Sequence, residues 1–184
     1  MRMSGMGRVV GGLVVVLAAG FASAQMPAAP VAPAPPAFSV APVPGKIYSA
    51  KKVFVSNAGS DSGLFPHPFS GDPDRPYNQF FANIEALGRY EIVSDPAQAD
   101  LVLELQLSAP NGPQNPNKQS GASDPLPMFR LVIYDAKTHF ILWALTESVD
   151  PALQQKTHDR NFDEALANLT EDFKRVGTPI SPGQ

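Results

Sequence analysis

Residues 101–108, with the sequence LVLELQLS, carry a leucine at every second position. Successive side chains of a β-strand point to opposite faces of a sheet, so this spacing predicts a strand with one buried face. The intervening residues Glu104, Gln106 and Ser108 would lie on the other face. Such alternation is typical of antiparallel sheets, because buried parallel strands tend to be apolar throughout. The chain is therefore expected to fold around a β-sheet.

Three other segments are predicted to be strands of the same sheet. Residues 51–55 and 90–93 are short runs rich in β-branched and aromatic residues. A polar loop is predicted from 56 to 74, and a single helical turn from 95 to 100. Residues 128–134 alternate again, which predicts one face with Phe129, Leu131 and Ile133 and another with Arg130, Val132 and Tyr134.

The only tryptophan lies in a segment that is predicted to be a β-hairpin rather than a catalytic loop. Residues 135–139 have a length suited to a hairpin turn, in which Asp135 and Thr138 would make local hydrogen bonds. Residues 140–149 would then be the returning strand. Because its first six residues are all apolar, we expect this strand to be central or covered on its second face, with Trp143 in the core.

Two amphipathic helices are also predicted. Residues 76–87 place apolar side chains at the i, i+3, i+4, i+7 spacing of one helical face, and Gly88 suits the left-handed position after the last turn. Asn161 and Glu164 have the spacing of a capping box. The second helix is therefore expected to begin at about Asn161 and to continue to Val176.

These elements together predict an α+β fold. We expect a mixed, largely antiparallel sheet of about five strands with two helices packed on one face, in the order β-α-β-β-β-β-α. The domain would span residues 46–176. The polar loop 109–127 is either a recognition loop or a disordered excursion, and its composition favours disorder.

The first 24 residues have the features of a secretory signal peptide. Arg2 and Arg8 are followed by an uncharged run at 9–21 and by the small residues of an Ala-Ser-Ala cleavage site. The alternative is a transmembrane anchor, but a span needs about 20 apolar residues and this run is shorter. We therefore expect export to the periplasm or the exterior, with no stable membrane span after cleavage.

Flexible segments are predicted on both sides of the domain. Residues 25–45 are rich in proline and alanine, which favours an extended tether; a ligand for a proline-binding domain is the alternative. Residues 177–184 are expected to be a flexible tail.

Composition excludes several classes of protein. The chain contains no cysteine, which excludes thiol catalysis, zinc held by cysteine, and a lipid anchor on an N-terminal cysteine. Its net charge is −3, and it lacks the basic patch of a nucleic-acid-binding protein.

The passages IEALGRYEIVSD, QADLVLELQL and LVIYDAKTHFILWALTESV together resemble the α/β domain shared by the TolB amino-terminal domain, the curli secretion protein CsgG and the peptidoglycan-synthase activator LpoB. In that superfamily an Ala-Asp pair opens a strand, and a hairpin with an Asp-x-x-Thr-Gly turn leads into a tryptophan strand. The resemblance covers about residues 51–176 and implies the fold. His139 stands in place of the turn glycine, which leaves the turn type open. Without cysteine, this chain cannot carry the lipid anchor of CsgG and LpoB.

The sequence contains no strong signal for catalysis or for metal binding. His67, His139 and His158 have no metal-ligand spacing. The aspartates near His67, at 61, 72 and 74, could bind a hard cation, but solvated turn residues are the favoured interpretation. No motif for an activated nucleophile or for nucleotide binding is present. We therefore predict no catalytic residue, no cofactor and no metal.

The sequence is compatible with two functions. The favoured one is a non-enzymatic exported binding or assembly module of the bacterial cell envelope, acting through protein–protein contacts. The face with Arg130, Val132 and Tyr134, or the edge of the sheet, would dock an envelope protein or a second copy of the chain. The alternative is a small secreted hydrolase with a loop-built site, in which His67 or His158 is the base.

Overall fold

The computed structural model describes residues 41–114 and 123–179. The predicted signal peptide, residues 25–40 of the predicted tether, the centre of the 109–127 loop and the end of the predicted tail lie outside the described residues. Within the described ranges the α-helices are α1 (Gly45–Ser49), α2 (Arg75–Ala86) and α3 (Gln155–Val176). The strands are β1 (Lys52–Ser60), β2 (Glu91–Ile92), β3 (Leu101–Ser108), β4 (Asn111–Gln114), β5 (Ser123–Pro125), β6 (Met128–Asp135) and β7 (Ile141–Ser148).

Five of these strands form the main sheet, in the order β2-β1-β3-β6-β7. β1 pairs in parallel with β2 and with β3, whereas β6 pairs antiparallel with β3 and with β7. The helices α2 and α3 contribute to one hydrophobic core with this sheet. The order β1-α2-β2-β3-β6-β7-α3 is the predicted one, and the predicted α+β class is confirmed. β4 and β5 pair as a separate ribbon, so the described ends of the 109–127 loop are strands.

β3 carries the centre of the core, as its leucine spacing predicts. Its four leucines are at most 2% exposed, and the residues between them are half-buried. The buried side chains of β6 lie directly opposite, with Leu105 facing Leu131 and Leu107 facing Phe129. Burying one such side chain contributes about 1.5–3 kcal/mol, so the two strands supply much of the driving force for folding.

The predicted polar loop from 56 to 74 is wrong in two respects. β1 continues to Ser60, with an irregularity in its pairing between Asn57 and Ser60. Further along, Phe69 is fully buried, and its ring centroid lies 5.1 Å from that of Phe162. The many glycine, proline and aspartate residues indicate a loop correctly, but they give no sign that the loop contributes a core side chain.

The prediction that the tryptophan strand is central or covered on its second face is also wrong. β7 lies at one end of the sheet order, with β6 as its neighbour. Ile141 is 57% exposed and Phe140 is 72% exposed, while Trp143 is half-buried and packs against the core. The apolar run on its own predicts a buried strand, but its burial depends on which strands and helices lie beside it in the fold.

α3 begins six residues earlier than the capping-box spacing predicts. Its first residue is Gln155, so Asn161 lies inside the helix and donates from Nδ2 to the backbone oxygen of Asp150 at 3.0 Å. Tertiary contacts stabilise the added turns. The His158 ring packs edge-on against Phe69, with the ring centroids 6.0 Å apart.

The other predicted elements agree with the structure to within a few residues. α2 starts and ends one residue before the predicted bounds, and Gly88 has the predicted positive φ, at 61°. The turn predicted at 95–100 is a single 3-10 turn at Pro96–Gln98. No helix among the described residues is long and apolar enough to cross a membrane.

Candidate interaction surface

The main sheet has a second face, which points away from α2 and α3. We call it the open face. Its side chains form cross-strand rows, because residues that pair between neighbouring strands point to the same side of the sheet. The first row contains Phe54, Val102, Tyr134 and Ile141, the second contains Ser56, Glu104, Val132 and Ala144, and the third contains Gln106, Arg130 and Thr146.

The three residues predicted for partner binding lie on this face, at alternate positions of β6. Arg130 is exposed and Tyr134 is half-buried, so both present atoms to solvent. Val132 is only 2% exposed, and it lies between Glu104 on β3 and Ala144 on β7. The geometry therefore makes Val132 the floor of the surface, with Arg130 and Tyr134 as the accessible side chains on either side of it.

Tyr134 is held in place by a neighbouring carboxylate. Its hydroxyl donates a hydrogen bond to Oε1 of Glu104 at 3.0 Å. Burial raises the pKa of Tyr134, and the hydrogen bond and negative charge of Glu104 raise it further, while Arg130 opposes them. The phenol therefore stays protonated and oriented at neutral pH, which suits a rigid contact residue.

A shallow groove of about 280 Å³ opens beside this tyrosine. Val102, Glu104, Tyr134 and His139 line it. Sequence reasoning did not assign Val102, Glu104 or His139 to a site. Only Val102 differs from the expected pattern in a way that could have indicated a site. It is apolar at a position where the alternation of the leucine strand predicts a polar residue.

His139 reaches the groove because the hairpin turn keeps the backbone conformation that glycine usually supplies. Its φ is 59°, in the left-handed region. Asp135 accepts hydrogen bonds from the backbone N–H groups of Lys137 at 2.8 Å and Thr138 at 3.4 Å, and its carbonyl accepts from His139 at 2.8 Å. The backbone hydrogen bond from Lys137 is the main cause of the lowered pKa of Asp135. The predicted turn role of Asp135 is confirmed.

Asp100 fixes the same end of the sheet. Its Oδ2 accepts hydrogen bonds from the backbone N–H groups of Lys51 at 2.9 Å and Lys52 at 3.0 Å. These two bonds are the largest causes of the lowered pKa of Asp100. Because the carboxylate joins the start of β1 to the start of β3, it helps to set the register on which the rows of the open face depend.

The alternative hydrolase site would use His67 or His158 as its base. His158 packs against Phe69, and in the described part of the chain neither His158 nor His67 makes a side-chain hydrogen bond. Asp61 and Asp72 accept hydrogen bonds from the backbone N–H groups of Gly63 and Asp74, which agrees with the interpretation of these aspartates as turn residues. No group of three or more histidine or acidic side chains within the described ranges is arranged to hold a metal ion.

No protein-family model matches this chain. No curated protein matches it either. Among solved structures it is similar to protein XCC0632 of Xanthomonas campestris, from the DUF330 family, at 15% identity and a TM-score of 0.45, over 77% of this chain and 90% of that one. A DUF4136 family protein of Bacteroides thetaiotaomicron has 14% identity and a TM-score of 0.45, over 72% of this chain and 91% of that one. A PelC dodecamer of Paraburkholderia phytofirmans has 13% identity and a TM-score of 0.41, over 65% of this chain and 84% of that one. These likenesses assign no role to any residue of the open face.

Proposed function

We propose that this chain is a non-enzymatic binding or assembly module of the bacterial cell envelope, acting through protein–protein contacts on the open face. One observation carries the proposal: α2 and α3 bury one face of the sheet, and no described helix packs on the other. That second face holds Val102, Tyr134 and Ile141, all at least partly accessible to solvent. Contiguous apolar and aromatic groups on an uncovered surface are typical of interaction sites.

The chemistry of the accessible residues supports a protein as the partner. Arginine and tyrosine are enriched at protein interfaces, and both can contribute large contact areas together with polar groups. The hydrogen bond from Tyr134 to Glu104 restricts the ring before binding, which reduces the entropy lost when a partner docks. Arg130 adds an exposed positive charge beside the apolar floor at Val132.

The cellular setting is part of the same proposal. It includes export by the signal peptide at 1–24, a location in the periplasm or outside the cell, a tether at 25–45, a domain at 46–176 and a tail at 177–184. The partner would be an envelope protein, or a second copy of the chain, with no lipid anchor involved. Kinship with the domain of TolB, CsgG and LpoB also belongs here, and it rests on the three sequence passages that resemble that domain.

A pair of variants tests the open face. We expect Arg130→Glu combined with Tyr134→Ala to abolish capture of a partner that the native chain cross-links in envelope preparations and binds again after both are purified. Ala167→Glu, on the exposed side of α3, is the matched control and should leave capture intact. Urea unfolding would show that both variants are folded.

The proposal fails if the native chain stays monomeric and captures no protein. It also fails if every captured protein binds the double variant as tightly as the native chain. Self-association that the double variant abolishes would identify a second copy as the partner.

A further inference from the structure

β7 leaves one edge of the main sheet without a partner strand in the described part of the chain. The N–H of Val149 donates to the oxygen of Pro127 at 2.8 Å, on the β6 side. Peptide groups along an antiparallel strand point alternately toward and away from the neighbouring strand. Counting back from Val149, those of Ser148, Thr146 and Ala144 face outward, and all three residues are exposed. The edge therefore offers a row of backbone donors and acceptors.

An acidic groove of about 340 Å³ runs between this edge and α3. Three carboxylates line it, from Glu147, Asp150 and Glu164, together with the side-chain amides of Asn161 and Asn168. No lysine or arginine is among the residues that line it. The groove is thus a concentration of negative charge beside backbone groups that no other described strand pairs with.

The carboxylates of the groove are only weakly neutralised. The amide of Asn168 donates to Oε1 of Glu147 at 3.2 Å, which satisfies one oxygen without cancelling the charge. Glu164 forms the nearest ion pair, with Arg160 at 3.6 Å, but both side chains are about two-thirds exposed (65% and 66%). Exposed pairs of this kind are weak. The site remains attractive to a further cation.

We propose that β7 binds an extended, cationic segment of another protein, which adds to the sheet as a further strand. In an added strand, side chains opposite Glu147 would point toward α3 and enter the groove, whereas those opposite Thr146 would point to the open-face side. Charge complementarity favours lysine or arginine at the first set of positions. This surface lies on the α3 side of the sheet edge and is distinct from the contact proposed at Arg130 and Tyr134.

A second copy of the chain fits this edge poorly. The only charged residue of β7 is Glu147, so pairing two copies edge to edge would bring two acidic grooves together. Nor does the strand contain the lysine or proline with which natural edge strands often discourage pairing. The edge is open to strand addition and selects for positive charge.

The test uses fluorescence anisotropy at about 0.1 M salt, where the Debye length is about 10 Å, with the whole chain and a labelled, end-blocked octapeptide of alternating lysine and valine. Binding should weaken about tenfold in the triple variant Glu147→Gln, Asp150→Asn, Glu164→Gln. The same charge change elsewhere, Glu85→Gln with Glu91→Gln and Glu171→Gln, should alter binding less than about twofold, because those groups lie away from the groove.

Two further probes separate strand addition from simple charge attraction. Thr146→Pro removes an outward-facing N–H and should weaken binding of the lysine–valine peptide. If this proline prevents folding, the comparison of the native chain with the groove variant Glu147→Gln, Asp150→Asn, Glu164→Gln still tests the proposal. A peptide with a central proline should bind the native chain more weakly than the parent peptide.

The proposal is overturned by absent binding, or by equal binding to the native chain and the triple variant. Equal binding of the proline peptide would reduce the contact to charge alone and would also overturn it. Dimerisation of the native chain that Thr146→Pro abolishes, with no peptide binding, would assign the edge to a second copy instead.

Discussion

At the scale of single residues, Arg75 joins segments that are far apart in the chain. Its Nη1 donates to the backbone oxygen of Ser70 at 2.9 Å and to Oδ1 of Asp159 at 2.7 Å, and its Nη2 donates to Oδ1 of Asp163 at 2.8 Å. The guanidinium carbon lies 4.2 Å from the centre of the Phe162 ring. One side chain thus links the loop before α2 to the first half of α3.

We expect Arg75→Ala to lower the free energy of unfolding by about 2–3 kcal/mol, because it leaves the partly buried carboxylate of Asp159 without its cation. Urea denaturation at neutral pH would measure the change. Arg160→Ala is the control, since its pair with Glu164 is exposed and should contribute at most about 0.5 kcal/mol. Equal effects of the two substitutions would contradict the assignment.

His139 tests the left-handed turn. A residue with a side chain is strained at a φ of 59°, so His139→Gly should leave stability unchanged or raise it by up to about 1 kcal/mol, as gained backbone freedom in the unfolded state offsets part of the relief. Thermal unfolding would show the shift. Gly88→Ala, at a φ of 61°, provides the opposite substitution and should destabilise. A clear loss of stability in His139→Gly would mean that the imidazole makes a stabilising contact.

The candidate surface was only partly predictable from its residues. The alternation in residues 128–134 was enough to assign Arg130, Val132 and Tyr134 to one face. That Val132 would be its buried floor, and that Glu104 would hold Tyr134, depends on the register between β3 and β6. His139 joins the groove through a backbone angle that its residue type disfavours, so sequence reasoning had no basis for including it.

At the scale of elements, the burial of two segments is the reverse of what their composition predicts: the loop before α2 contributes a core side chain, and the start of the β7 segment is exposed. Phe69 lies in a segment with loop composition yet is fully buried, whereas Phe140 precedes an apolar strand yet is 72% exposed. The difference arises because Phe69 packs against His158 and Phe162 of α3, while β7 has no neighbour on its outer side among the described strands.

We therefore expect Phe69→Ala to cost about 3–5 kcal/mol, the range for removing a buried phenylalanine, and Phe140→Ala to change stability by less than about 0.5 kcal/mol. Guanidinium unfolding monitored by tryptophan fluorescence would compare them. A larger cost for Phe140→Ala than for Phe69→Ala would contradict the observed burial.

The start of α3 can be tested with proline. Arg160→Pro should cost about 3 kcal/mol, because position 160 lies in the second turn of a helix that begins at Gln155. Gln155→Pro should be tolerated far better, since proline suits the first helical position and Gln154 already has an extended backbone. Circular dichroism during thermal unfolding would distinguish them. Tolerance of Arg160→Pro would instead support a helix that starts at Asn161.

At the scale of the whole molecule, two carboxylates connect distant parts of the fold. Asp100 has a lowered pKa because of backbone hydrogen bonds from Lys51 and Lys52. For Asp159, burial alone would raise the pKa, but hydrogen bonds from Arg75 and Ser70 outweigh it and the pKa is lowered. In both cases the folded state therefore favours the ionised carboxylate over the protonated acid.

A carboxyl group whose pKa is lowered on folding stabilises the fold fully above its ordinary value of about 3.9, and this contribution is lost as the pH falls through the folded value. We expect the native chain to lose stability on acidification through this range. The double variant Asp100→Asn, Asp159→Asn should be less stable at about pH 7 and should show a smaller loss on acidification. Urea titrations across this range would measure both, and parallel pH curves would contradict the prediction.

The class of the fold and its strongly periodic elements follow from the amino-acid sequence alone. Hydrophobic periodicity was sufficient to predict three elements, because the period shows which side of an element is buried. These elements are the leucine strand, the strand that carries Arg130 and Tyr134, and α2. Three features became visible only in the folded molecule: β7 lies at the edge of the described sheet, Phe69 enters the core, and α3 extends back to Gln155. Strand order and helix length at those places depend on contacts between residues distant in the chain, and no local period records such contacts.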